Sequence, residues 1–68
     1  MTDEPLLDIG AVSRWVGLSL ASLYAQRHAR TGVGGLAIKV GKHLRWRPED
    51  IRRWLDEQAQ QAREEALR

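Results

Sequence analysis

Gly17 and Ser19 bracket a single leucine, Leu18, between two short stretches of helical periodicity, and this joint limits what the chain can fold into. A glycine there stops one helix, and a serine is a favoured amino-terminal cap for the next. Upstream, Asp8 is placed to cap a first helix in which Ile9, Val12 and Val16 share one side, with Trp15 beside them. Downstream, Ser19 caps a second helix from Leu20 to about Ala29, and Leu18 falls in the elbow. Two helices joined this closely have the spacing of a helix-turn-helix.

The remaining residues have to complete a core without help. A chain of 68 residues has no cysteine, so neither a disulfide framework nor a zinc knuckle supports it. A fold of this size buries only about 60% of its unfolded surface, which argues for one compact domain and against a large substrate cavity. Residues 31 to 35, "TGVGG", carry three glycines in five positions and predict a loop. Leu36, Ile38 and Val40 then alternate with Ala37 and Lys39, and Leu44 and Trp46 alternate with His43, Arg45 and Arg47, on either side of Gly41-Lys42. Period-two patterns flanking a glycine turn predict a two-stranded hairpin. Its apolar face is expected to cover the helices, leaving Lys39, His43, Arg45 and Arg47 outward around a Lys42 tip.

Pro48 opens a third helix, with Glu49 and Asp50 near the positive end of its dipole and Ile51, Trp54 and Leu55 as its buried stripe. From Gln58 onward only Ala59, Ala62, Ala66 and Leu67 are apolar, so residues 58 to 68 are expected to form a solvent-facing helical extension that frays. The expected fold is mainly α with a small two-stranded antiparallel hairpin. It makes a single domain over residues 1 to 68, with its core at about 6 to 57, in the order helix, turn, helix, wing, helix.

Charge is distributed unevenly along this scaffold. The formal net charge is only +2, yet all nine acids lie outside residues 9 to 48, while Arg14, Arg27, Arg30, Lys39, Lys42, Arg45 and Arg47 lie inside. Forty residues with seven cations and no carboxylate point to a polyanion as partner, with nucleic acid the natural choice. With Leu23 at the centre of the buried face of the second helix, about 100° per residue turns Ala21, Ser22, Tyr24, Ala25 and His28 outward and puts Gln26 and Arg27 on the flanks. Small side chains let a helix approach base edges, an alanine can touch a thymine methyl, and Gln26 is either a solvated flank residue or, if it reaches, a reader of adenine. Lys42 and Arg45 are candidates for phosphate or minor-groove contact. Tyr24 has an alternative place packed against the hairpin.

Other classes of function lack the residues they need. The basic window holds no carboxylate for general-base work, and "TGVGG" has neither the ending nor the strand-to-helix context of a nucleotide loop. His28 and His43 have no cysteine or acid near them in the sequence, so neither a metal nor a cofactor is expected. No apolar run approaches the roughly 20 residues of a membrane span, and the amino terminus is acidic where a signal peptide is basic. A cytoplasmic protein that is not an enzyme is the expectation.

The stretches "LLDIGAVSRWVGLSLASLYAQ", "IKVGKHLRW" and "PEDIRRWL" together resemble the excisionase-type, MerR-like winged helix-turn-helix family, over roughly residues 6 to 57. The elements that carry the likeness are Gly17-Leu18-Ser19, Leu23-Tyr24, Val40-Gly41 with the basic residues after it, and Glu49-Asp50-Ile51 followed by Trp54-Leu55. Ala25 departs from it, standing where the family often has a basic residue. The resemblance implies that the second helix enters the major groove of double-stranded DNA while the wing lies along the backbone or in the adjacent minor groove. The implied contact set is Ser19, Ala21, Ser22, Tyr24, Ala25, Gln26, Arg27 and His28 from the helix, with Lys39, Lys42, His43 and Arg45 from the wing.

It implies, too, a recombination directionality factor: a protein that self-associates cooperatively on an attachment site, bends it, and steers a phage or mobile-element integrase toward excision. A small transcriptional regulator built on the same domain is the alternative, and a protein-interaction module whose basic face meets an acidic protein is a third reading. The short length, with no room for an effector domain or a long dimerisation helix, favours the first.

Overall fold

The computed structural model describes residues 5–67; Asp3, Glu4 and Arg68, which belong to the charge pattern above, lie outside them. The elements run α1 (Ile9–Val16), α2 (Leu20–Ala29), β1 (Ile38–Val40), β2 (His43–Arg45) and α3 (Pro48–Ala66), with a 3-10 turn at Gly34–Leu36 before β1. The chain is thus mainly helical with one two-stranded antiparallel hairpin, as its periodicities predict.

Local chemistry sets the first two helices. The Asp8 carboxylate accepts a 2.8 Å hydrogen bond from Ala11 N–H and so starts α1. Gly17 ends it in the left-handed region at φ 74°, where a side chain would be strained. Ser19 then caps α2, its hydroxyl accepting from Ser22 N–H at 3.1 Å. A bond that the sequence does not announce secures the elbow: Ser13 Oγ donates to the Leu18 carbonyl at 2.6 Å across the turn.

Among the described residues five make up the fully buried hydrophobic core: Val12 of α1, Leu23 of α2, Val33 of the glycine loop, Trp46 just past β2 and Ile51 of α3. Leu7, Ile9, Val16, Leu18, Ala37, Leu44, Trp54 and Leu55 pack around them. Trp54 is therefore half-buried, whereas Trp46 is wholly enclosed and its indole N–H donates to the Val33 carbonyl at 2.9 Å.

Four features differ from the reading of the sequence or were invisible in it. First, "TGVGG" is not simply a loop: Val33 enters the core and the chain coils into the 3-10 turn. Glycine is required at 34, because a Cβ there would collide with the Leu23 carbonyl and lie 2.6 Å from Gln26 Cβ. The loop composition is what allows α2 to be approached this closely.

Second, the hairpin does not present one apolar face. Gly41-Lys42 forms a two-residue turn, so the register pairs Ile38 with Arg45, Lys39 with Leu44 and Val40 with His43. Cross-strand partners share a face. Ile38 and Val40 therefore sit with Arg45 and His43 rather than with Leu44, and Val40 is 48% exposed. Lys39, expected outward beside His43 and Arg45, instead emerges on the face of Leu44. A turn of even length forces this, since it pairs even-numbered residues of β1 with odd-numbered residues of β2.

Third, Leu7 joins the hairpin as an isolated antiparallel bridge to Trp46, with reciprocal N–H···O bonds of 2.8 and 2.9 Å. Fourth, the solvent-facing helical extension expected from Gln58 is continuous with α3, which ends at Ala66, every described residue from Asp56 onward being exposed. Its base is held by Ile51 and by the Arg52 guanidinium, which lies 5.6 Å above the Trp15 ring of α1. Among the described residues no helix is long and apolar enough to cross a membrane.

Candidate nucleic-acid interface

The exposed side of α2 and the hairpin face each other across an open cleft of about 1180 Å³. Tyr24, Ala25, Arg27, His28 and Arg30 supply one wall, Lys39, Lys42, His43, Leu44 and Arg45 the other, and Ile9 also lines it. Five of these side chains are lysine or arginine and two are histidine, while no carboxylate of the described residues lines the cleft. Asp3 and Glu4 aside, the fold keeps every acid of the chain away from it.

The residues picked out on α2 divide into two groups. Ala21, Ser22, Tyr24, Ala25 and His28 are exposed as the helical period predicts. Ser19 and Ser22 are tied together, Ser19 Oγ accepting from Ser22 N–H and donating to Ser22 Oγ at 3.0 Å. Gln26, placed on the flank by the helical period, is half-buried and ties α2 to the glycine loop. Its Oε1 accepts from Gly34 N–H at 2.9 Å, and its amide atoms lie 2.9 to 3.1 Å from where a Cβ on Gly32 would stand. The side chain as placed is a clamp for the glycine loop, with its carbonyl oxygen already engaged. Arg27 is half-buried; its Nε is shielded from solvent and has no hydrogen-bond partner among the described residues, although the residue reaches the cleft.

On the opposite wall Lys42 and His43 are exposed at the turn, and Arg45 is half-buried with its guanidinium donating to the Leu44 carbonyl at 2.8 Å. Gly41, at φ 64°, makes the turn that carries Lys42 to the tip.

Arg30 and Leu20 did not stand out in the sequence. Arg30 caps the carboxyl end of α2 at φ 56°, ψ 45°, and it is the only non-glycine residue with positive φ among those described. That conformation costs an L-residue about 1–2 kcal/mol, and strain of this kind gathers at functional sites. The signal available in the sequence was its place in the acid-free window, one residue past the helix. Leu20 is 47% exposed at the first position of α2, a large apolar group left in water on the flank of the outward face. Comparison with family models, curated proteins and solved structures finds no match to this chain.

Proposed function

We propose that this protein binds double-stranded DNA in the cytoplasm as a winged helix-turn-helix, and that it acts as a recombination directionality factor. The observation that carries the reading is the cleft lined by five lysines and arginines and by no carboxylate of the described residues, walled on one side by the exposed face of α2 and on the other by a basic hairpin. Like charges gathered around one concavity repel one another, and a phosphate backbone removes that repulsion while releasing its own counterions. In this arrangement α2 lies in the major groove, and the hairpin is the wing that follows the backbone into the adjacent minor groove. Phosphate contacts from Lys39, Lys42 and Arg45 fix the register, and the outward side chains of α2 meet the bases.

A module of this size covers about 600–1,000 Å², too little to be selective alone, so copies bind tandem sites cooperatively. Phosphate pairing along the wrapped duplex offsets a bending cost of order 1–6 kcal/mol and holds an attachment site in a shape that an integrase can bring together for excision. The protein itself does no chemistry. A small transcriptional regulator would use the same surface, and the two differ in where on the DNA they bind and in what shape they leave it.

Two measurements test the proposal. If all five lysines and arginines of the cleft meet phosphate, log K falls against log salt with a slope of about −4.5. Addition to an integrase with left and right attachment sites stimulates excision, and the bound duplex is bent. A straight complex at a promoter with no effect on recombination assigns the protein to regulation instead. Salt-insensitive binding removes DNA as the partner and leaves the protein-interaction reading.

A further inference from the structure

The outward face of α2 is apolar as well as small. Ala21 and Ala25 lie nearly opposite the buried Leu23 on the helical wheel, and Leu20 and Tyr24, one turn apart on the neighbouring flank, are 47% and 54% exposed. A helix that merely rested on phosphate would gain nothing from leaving two large apolar side chains in water at its amino-terminal end. A soluble helix ordinarily covers such a flank with lysine or glutamate.

The polar groups on the same turns are largely committed. Gln26, whose amide would suit an adenine, is held by Gly34 N–H. Ser19 and Ser22 bond to each other, leaving the Ser22 O–H proton, the Tyr24 hydroxyl and the amide nitrogen of the half-buried Gln26 as the side-chain donors of the first two turns. No arginine or lysine stands between Leu20 and Gln26, so the bidentate recognition of guanine has no side chain to perform it there.

What remains on a major-groove face of this kind is contact with the one apolar group that B-DNA offers in that groove, the C5-methyl of thymine. We infer that α2 selects its site chiefly by apolar contact with thymine methyl groups, made by Leu20, Ala21 and Ala25 with the Tyr24 ring beside them, rather than by hydrogen bonds to base edges. This deepens the DNA-binding reading above and rests on it. The cations of the cleft supply affinity without regard to sequence, and the methyl contacts supply the choice of site.

The test separates the two claims. Duplexes that bind the protein are selected from a random-sequence pool, and each is then resynthesised with deoxyuridine replacing thymidine, a change that removes a methyl group and leaves every hydrogen-bonding group in place. One buried methyl corresponds to about a fourfold change in affinity, so each contacted thymine should lose about that factor when replaced. Replacing the same thymine by 5-methylcytosine should be tolerated better than replacing it by cytosine. Leu20→Ala should shrink the thymidine-to-deoxyuridine ratio at one position with an unchanged circular dichroism spectrum, whereas Lys42→Ala should weaken both forms equally and leave the ratio intact. Selected duplexes that bind equally well in thymidine and deoxyuridine form overturn the inference while leaving DNA binding standing. A pool from which no duplex is retained overturns both.

Discussion

The two walls of the cleft are built to opposite specifications. The α2 wall is part of the core: Leu23 is fully buried behind it, Gly34 sits against its backbone, and Gln26 fastens the glycine loop to it. The hairpin wall has no fully buried residue in either three-residue strand; within the strands Leu44 packs against the core half-buried, and the first fully buried side chain comes just past β2, at Trp46. This difference bears on how the charges are held. The hairpin offers Lys39, Lys42 and Arg45 on two short strands and their turn, whereas the α2 wall sets Arg27, His28 and Arg30 beside small and apolar groups whose positions the core fixes. A surface that selects needs fixed geometry, and a surface that holds phosphate needs only charge within reach.

The comparison can be broken most severely at the point where both walls meet the core. Trp46→Ala removes the largest enclosed side chain together with its bond to Val33, and should cost about 3–5 kcal/mol in urea denaturation, much of what so short a chain possesses. Trp54→Ala, at a half-buried position, should cost distinctly less. If the two losses are equal, the core is centred nearer α3 than the burial indicates.

Cutting the α2 wall from its loop is the next largest perturbation. Gln26→Ala leaves Gly34 N–H without its partner in a half-buried place, and a loss of about 1–3 kcal/mol is expected from the same denaturation experiment. A variant as stable as the wild type would show that the loop is held by Val33 alone.

Arg30→Gly works in the other direction. Relief of the left-handed backbone should raise stability by about 1 kcal/mol while DNA affinity falls, separating the strain from the charge it positions. A loss on both counts would mean that the arginine side chain supports the fold.

The smallest effect on stability belongs to the hairpin tip. Lys42→Ala should leave the midpoint of unfolding unchanged, weaken binding to all duplexes alike, and reduce the salt slope by about one unit. A change in sequence preference from this variant would make the hairpin a reader of bases and erase the division between the walls.

Local chemistry was sufficient for much of this architecture. Asp8, Gly17, Ser19, Gly41 and Pro48 each act on the few residues around them, through a cap, a left-handed turn or a fixed φ, so both ends of α1, the start of α2, the hairpin turn and the start of α3 were legible in the sequence. The outward positions Ala21, Ser22, Tyr24, Ala25 and His28 followed from the helical period, and the acid-free window could be counted directly.

Only tertiary structure decided the rest, because it depends on which distant segments touch. Val33 looks like a loop residue until Trp46, thirteen positions later, bonds to its carbonyl. Gln26 looks like a solvated flank residue or a base reader until Gly34 folds back beneath it. The hairpin shows the same limit from within: each strand alternates correctly by itself, but the faces they share are set by the length of the turn between them. Gathering Arg27, Arg30, Lys39, Lys42 and Arg45 around one cleft needed that turn, the buried loop and the Leu7–Trp46 bridge together, since charges distant in sequence become neighbours only when backbone hydrogen bonds and a shared core fix the elements that carry them.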